Sequence, residues 1–408
     1  MFVHQNFPAQ YRYLAVTLAR DRGIEVVALG HSAAAGSNAA LPGVRLVGYD
    51  WNGAGSSAGH SFAQPFDHAV ARGYAVARTC RALRAEGFVP DVIYAHPGWG
   101  EALFLRDVFP EARITLYCEF YYRAAGADVG FDPEFPAPPD DTLRVRAKNA
   151  AALLSMEAAD NGISPTEWQR QVHPEAFRQR IDVIHDGIDS DYFAPNAEAV
   201  LELPDGAGRL TARDEVVTYV ARNLEPYRGF HTFMRALPRL QALRRHARVV
   251  IVGGDGVSYG NPSPHGSSYK QWLLAELDGQ IDLSRVHFLG RVPYPTLRAV
   301  YQVSSAHVYL TYPFILSWSV LEAMSCACAI AGSATAPMTE VITHGDNGRL
   351  VDFFDSTGLA DEIGTMLQAG PDALAMRKRA RETILERYDL MRICLPAQLR
   401  ALTNNADT

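Results

Sequence analysis

A pair of α/β domains, each built on a parallel sheet with helices on both faces, is the fold that this sequence of 408 residues predicts. Three observations predict it. Short apolar runs alternate with helical patterns in both halves of the chain, the pattern of a parallel sheet covered on both faces. A polar stretch without periodicity, 187–214, carries Gly206 and Gly208 and separates the halves. The length, at roughly 100–200 residues per domain, calls for two or three domains. Two halves of similar size joined by a linker imply a cleft between two open sheets.

The strands of the first half are expected at 2–4, 24–29, 44–47, 91–95, 114–117 and 181–184, each an apolar run followed by helical spacing. Residues 124–141 are rich in Gly, Pro and Asp and read as a long loop, a feature that is usually functional or mobile. The second half repeats the architecture, with strands at 216–220, 249–252, 286–289, 307–310, 329–331 and 349–351. The stretch 373–402 reads as helical, with a break at Tyr388-Asp389-Leu390. No short repeat and no low-complexity tract interrupts this order.

Composition excludes several classes. The net charge of −7 argues against a nucleic-acid partner. No apolar run approaches the ~20 residues of a membrane span. The amino terminus opens on a strand-like Met1-Phe2-Val3-His4 and not on a signal peptide, so the cytoplasm is the expected compartment. The five cysteines are scattered, and Cys326-Ala327-Cys328 lacks the spacing of zinc or redox sites, so packing explains it. Asp189-Ser190-Asp191 has the form that holds a metal on a nucleotide but sits in the linker, where it reads as a turn. No other carboxylate or histidine cluster has ligand spacing, so no metal is expected.

The most informative segment is Val-Ala-Arg-Asn-Leu-Glu-Pro-Tyr-Arg-Gly at 220–229. It lies at the carboxyl end of an expected strand, where open α/β sheets bind ligands. Arg222 and Arg228, six residues apart on one strand-to-helix turn, can converge on one anion. Guanidinium is always charged and grips phosphate bidentately, so a pyrophosphate fits. Gly253 and Gly254 end the next strand and let backbone approach a ligand closely. The helix start at Ser317, Trp318 and Ser319 offers free N–H groups and a positive dipole end to a phosphate. Glu322 has two readings: it closes a capping box on the Ser319 amide, or it accepts hydrogen bonds from ribose hydroxyls. In the first half, three strand ends carry polar and aromatic residues, among them Gln5 and Asn6, His96, and Glu119, Tyr122 and Arg123. They are expected to form a sugar-binding wall.

These residues resemble the retaining, two-domain glycosyltransferases of the large family-4 type, which have the GT-B fold, and the resemblance covers nearly the whole length. Arg222 and Arg228 match an arginine and a lysine, six residues apart, that hold the donor diphosphate, with arginine in place of lysine. Gly290-Arg291-Val292 resembles the turn whose backbone reads the nucleobase. Leu321-Glu322-Ala323-Met324 matches the closing half of the Glu-x7-Glu motif. Thr339-Glu340-Val341-Ile342 with Gly345 and Gly348 matches a further signature, and His185-Asp186-Gly187-Ile188-Asp189 resembles the Asn-Gly-Val-Asp that ends the first domain. Three positions depart from the pattern. Phe314 stands where the first glutamate, a donor-sugar contact, falls in the family. Cys118-Glu119-Phe120 replaces a strand-end histidine. Asn6-Phe7-Pro8-Ala9 replaces a glycine pair.

The resemblance implies two Rossmann-like domains facing across a cleft: an acceptor domain, 1–195, with 390–408 crossing back onto it, and a donor domain, 196–389. It implies retaining transfer of a hexosyl unit from a nucleotide-diphosphate sugar to a hydroxyl of a carbohydrate or glycoconjugate, as in polysaccharide biosynthesis. GDP-mannose is the first donor to expect and a UDP-hexose the next. The donor side would use Arg222, Arg228, Glu322, Gly254, Arg291, Val292, Ser317, Trp318 and Ser319. The acceptor side would use Gln5, Asn6, His96, Glu119, Tyr122 and Arg123. No cofactor is implied beyond the sugar nucleotide as co-substrate, and peripheral membrane contact is compatible with it. Two other readings stay open: a sugar-nucleotide epimerase on the same fold, and a non-catalytic sugar-nucleotide binder.

Overall fold

The structure, a computed structural model, describes residues 1–35, 41–51, 53, 59–368 and 370–403. The chain divides into two compact units, one formed by 1–187 with the residues from 391 on, the other by 188–390. The boundary therefore falls eight residues before the expected position 195. The reason is local pairing within the second unit. The Ile188 N–H donates to the Tyr388 carbonyl at 2.8 Å, and Leu390 N–H donates back to Ile188 at 2.9 Å. Ser190 Oγ donates to Asp389 Oδ2 at 2.5 Å, and Phe193 is buried in that unit's core. Asp189 caps its own turn by accepting the Tyr192 N–H at 2.9 Å.

The first unit carries seven strands: β1 (Phe2–Val3), β2 (Val26–His31), β3 (Val44–Tyr49), β4 (Val92–Ala95), β5 (Arg113–Tyr117), β6 (Asn161–Ser164) and β7 (Ile181–Val183). All pair in parallel in the order β3-β2-β1-β4-β5-β6-β7. Val3, Val27, Leu29, Ile93, Ile114 and Leu116 put the core on the central strands. Strand β6 has no apolar run to announce it. Its Gly162 is needed because a Cβ there would lie 2.5 Å from the Sγ of Cys118, just after β5. After the helix Pro371–Arg387 the chain turns through a π-helical segment, Leu390–Cys394, into the helix Leu395–Thr403. That last helix is held by Arg113, which donates to the carbonyls of Ala401 and Leu402, and by Gln398, which donates to the His185 carbonyl.

The second unit opens with an antiparallel hairpin, β8 (Val200–Glu202) and β9 (Arg209–Thr211), in the stretch the sequence presents as a bare linker. Each strand buries a single leucine, Leu201 or Leu210, and one apolar residue per strand makes no readable alternation. Six parallel strands follow: β10 (Val216–Asn223), β11 (Arg248–Gly254), β12 (Val286–Gly290), β13 (Ala306–Tyr309), β14 (Ile330–Ser333) and β15 (Arg349–Val351). Their order is β12-β11-β10-β13-β14-β15. Near-continuous apolar runs in β10 and β11 fit strands covered on both faces. In each sheet the strand order reverses beside the first strand, between β1 and β4 and between β10 and β13. Connections leave such a point in opposite directions and open a crevice at the carboxyl ends.

Candidate functional site

In the second unit, the loop after β10 folds onto the end of β13. Gly229 makes this possible. It has φ +65°, and a Cβ there would stand 2.4 Å from Leu310 Cβ. Only glycine permits both the left-handed turn and the close approach. The turn Pro226–Arg228 precedes it and the helix Phe230–Leu243 follows, so Arg228 is held over the switch point. Its Nη1 donates to Tyr309 Oη at 2.6 Å, Thr311 Oγ1 at 2.8 Å and the Ile315 carbonyl at 2.9 Å. The rings of Tyr259 and Tyr309 flank the guanidinium at 5.4 and 5.6 Å.

Arg228 is 6% exposed, and among the described residues no carboxylate pairs with it. A buried guanidinium satisfied only by neutral acceptors leaves a charge uncompensated, which is costly unless an anion arrives. Arg222, at the penultimate position of β10, is exposed and has no hydrogen-bond or ion-pair partner among the described residues. The sequence treats the two arginines as alike. In the structure one is built in and the other is a solvent-side cation on the same segment.

Tyr309 ties this cation to a helix start. Its hydroxyl accepts the Ser317 N–H at 2.9 Å, one residue before the helix Trp318–Ser325. Ser317 is the N-cap, its Oγ accepting from the Ser319 N–H at 3.3 Å and from Ser319 Oγ at 3.0 Å. The capping box expected at Ser319 and Glu322 is not formed. Glu322 instead accepts from Tyr301 Oη at 3.4 Å and is 5% exposed. Burial, against that one weak hydrogen bond, raises its carboxyl to about 7. Phe314 is buried among Tyr227, Tyr259 and Tyr312 neighbours, its ring 5.3 Å from Tyr227 and 5.0 Å from Tyr259.

Gly254 and Arg291 are brought together by Asn223. Arg291 Nη2 donates to Asn223 Oδ1 at 2.9 Å, and a Cβ on Gly254 would lie 2.7 Å from that oxygen. Val292, half-buried, packs on the core, so its backbone is the part left for a ligand. Asn223 Nδ2 donates to Ser258 Oγ at 2.8 Å. Glu225, 1% exposed, accepts the backbone N–H groups of Ser258, Tyr259 and Gly260 at 3.0–3.1 Å. Its carboxylate fixes the loop that sets Tyr259 beside Arg228. Sequence reasoning passed over Asn223 and Glu225, although both lie inside the arginine segment. It also passed over Tyr309 and Tyr301, for which a buried aromatic gives no signal.

In the first unit the residues expected to form one wall fall into two places. Around the switch point, the His4 and His96 rings lie 5.2 Å apart, and Trp99 stacks on His96 at 4.3 Å. His96 Nδ1 accepts the Gly98 N–H at 3.0 Å, so its proton sits on Nε2, which faces Glu119 Oε2 at 3.3 Å. His4 Nδ1 accepts the Asn6 N–H at 3.0 Å, and burial followed by the nearby His96 holds its pKa well below the usual histidine range. Gln5 Oε1 accepts from Arg72 at 2.8 Å. Tyr122 and Arg123 belong to a separate cavity, lined also by residues within 142–153 and 172–178.

Comparison with known proteins agrees with this architecture. The profile of the "Glycosyl transferase family 4 group" matches residues 22–193, and that of "Glycosyl transferases group 1" matches 214–369. The chain is 29% identical over 206 residues to the D-inositol 3-phosphate glycosyltransferase of Mycobacterium avium, covering 49% of this chain and 44% of that protein. It is 30% identical over 230 residues to the Mycolicibacterium smegmatis protein of the same name, covering 54% of this chain and 48% of that one. The matched region thus spans about half the length of these curated relatives. Among solved structures, Anabaena HepE in complex with UDP and glucose matches at TM-score 0.64 and 18% identity, over 98% of this chain and 99% of that chain. Sucrose-phosphate synthase from Thermosynechococcus elongatus matches at TM-score 0.69 and 18% identity, over 98% and 97%. With two parallel-sheet units, each reversing its strand order beside the first strand, the chain belongs to the family-4 type of glycosyltransferases with the GT-B fold.

Proposed function

We propose that the protein is a retaining glycosyltransferase that moves a hexosyl unit from a nucleoside-diphosphate sugar to a hydroxyl of a carbohydrate or glycoconjugate. The observation that carries this reading is Arg228: a buried cation, held by neutral acceptors and linked through Tyr309 to a helix start. Fixed donors of this kind act on charge that grows on a leaving diphosphate, without reorganising at the moment of reaction. Arg222 supplies a second positive charge from the end of β10. Glu322, once ionised, receives hydroxyl hydrogen bonds from the ribose. The turn at Gly290, Arg291 and Val292 receives the base.

In the step proposed, the bond from the anomeric carbon to the diphosphate oxygen breaks as the acceptor oxygen bonds to the same face of that carbon. The acceptor hydroxyl proton passes to the departing phosphate oxygen, so no side-chain nucleophile is used. The arginines carry the countercharge, and the reaction needs no metal. UDP-hexoses and GDP-mannose are the first donors to test. HepE, which shares the fold, binds UDP and glucose, and this puts the UDP-sugars ahead of the GDP-mannose expected from the sequence.

The test is turnover of these donors against a panel of sugar acceptors, with product configuration read from the anomeric proton coupling. Retained configuration, unchanged rates in EDTA and loss of transfer in Arg222→Ala and Arg228→Ala are expected. Wild-type turnover in both variants would refute the reading.

A further inference from the structure

The first unit holds a cavity of about 590 Å³ that the donor chemistry does not use. It lies between the segment after β5 (121–125), the helical stretch 142–153 and the segment 172–178. Three guanidiniums line it, those of Arg123, Arg146 and Arg178, against one carboxylate, Glu175. Among the described residues none of the three arginines makes an ion pair, although ion pairs join Arg144 to Asp141 and Arg170 to Glu167 close by. Two of the three converge. Arg123 Nη1 and Arg178 Nη1 both donate to the Gln171 carbonyl, at 3.4 and 3.2 Å. Like charges held on one carbonyl oxygen repel each other and gain from an anion that bridges them. A fourth cation stands behind the wall: Lys148 Nζ lies 3.3 Å from the centre of the Tyr122 ring.

The rest of the lining is mostly apolar or aromatic, including Tyr121, Tyr122 and Leu153, with Thr142, Asn149 and His173 as its further polar members. A cavity of this size with an apolar floor and a few convergent polar groups suits a small organic ligand. Sugar rings present an apolar face to aromatic side chains, and their acidic substituents present what the arginines lack.

We infer that this cavity binds an acidic carbohydrate, a sugar bearing a phosphate, sulfate or carboxylate group. Arg123, Arg146 and Arg178 take the anionic group, and Tyr121 and Tyr122 the ring. The inference rests on the proposed transferase only in calling that ligand an acceptor; the binding itself does not.

The test uses the full chain carrying Arg228→Ala, so that the proposed diphosphate site does not contribute. Glucose, glucose 6-phosphate and glucuronate are titrated by calorimetry. The acidic sugars are expected to bind at least tenfold more tightly than glucose, with an affinity that falls as salt rises. Adding Arg146→Gln and Arg178→Gln should remove the preference while the thermal midpoint stays within a few degrees. Equal affinity for acidic and neutral sugars would overturn the inference, as would a preference that survives both substitutions. Sedimentation with phosphatidylglycerol vesicles, dependent on the same arginines but without any preference among the small sugars, would also overturn it. An acidic preference in a protein that transfers no sugar from any donor leaves this inference standing and removes the transferase reading.

Discussion

The hydroxyl of Tyr309 accepts the Arg228 guanidinium at 2.6 Å and the Ser317 amide at 2.9 Å. One phenol thus joins a buried cation on the loop after β10 to the start of the helix after β13. Removing it should leave both partners in place but loosely held. Tyr309→Phe is expected to lower transfer about tenfold, the value of one misplaced hydrogen bond of about 1.4 kcal/mol. Arg228→Ala should lower it by about 10²–10³, as loss of a charge-stabilising donor does. Steady-state rates on the best donor measure both. Because Arg228 is a buried charge without a carboxylate partner, its removal should cost little stability or raise it.

If Glu322 holds the donor ribose as proposed, donor binding will depend on pH. Its carboxyl titrates near 7 in the folded protein against 4.5 ordinarily, because burial disfavours the charge. Between these values the folded state holds a proton that the unfolded chain has released. Stability therefore falls as pH rises from 4.5 to 7 and levels off above 7. If ribose hydroxyls bind the ionised form, nucleotide affinity should weaken as pH drops below 7, by up to about tenfold per unit, with proton release on binding. Calorimetry in buffers of different ionisation enthalpy measures that release. Glu322→Gln should abolish both slopes, and proton release unchanged in this variant would contradict the assignment.

Glu225 holds a loop by three backbone amides, those of Ser258, Tyr259 and Gly260. Hydrogen bonds to a charged group contribute about 1.5–3 kcal/mol each in favourable settings, and amides left unmet are costly. Glu225→Gln keeps the shape and loses the charge. It should lower stability by about 1–3 kcal/mol and speed proteolysis within the loop after β11. Denaturant titration and mapping of the first cleavage measure the two effects.

Gly254 touches the oxygen that holds Arg291. A methyl group there would sit 2.7 Å from Asn223 Oδ1 and 2.8 Å from Arg291 Nε. The arginine can swing away, so Gly254→Ala should fold normally and weaken nucleotide binding. Asn223→Ala should have a similar effect on binding, and the double variant should lose little more, since both act through one contact. Additive losses would show that they act separately.

Where the sequence was legible, physics was local. All six strands of the second sheet fall where the sequence places them, and β10 and β11 announce themselves most clearly because strands buried on both faces are runs of Val, Ile and Tyr. The break at Tyr388-Asp389 also showed in the chain, and there the helix Pro371–Arg387 ends. Strand β6 was hidden because Gly162 is dictated by a neighbour, Cys118, distant in sequence. The hairpin of β8 and β9 was hidden because each strand has one buried leucine. At the site, the arginine segment stood out by charge and position. The capping box was misread because Ser317 and Ser319 are both competent caps, and only the fold selects Ser317. Tyr309, Tyr301 and the division of the first unit's polar residues into two places depend on tertiary contact and left no periodic trace.

The central claim is that the second unit holds a diphosphate through Arg228. It is tested most directly by titrating UDP, UMP, GDP and GMP into the wild-type protein and Arg228→Gln. The diphosphate of the preferred base should bind at least tenfold more tightly than its monophosphate in the wild type, and equally in the variant. Equal affinity for mono- and diphosphates in the wild type, or a preference that survives in Arg228→Gln, would contradict it.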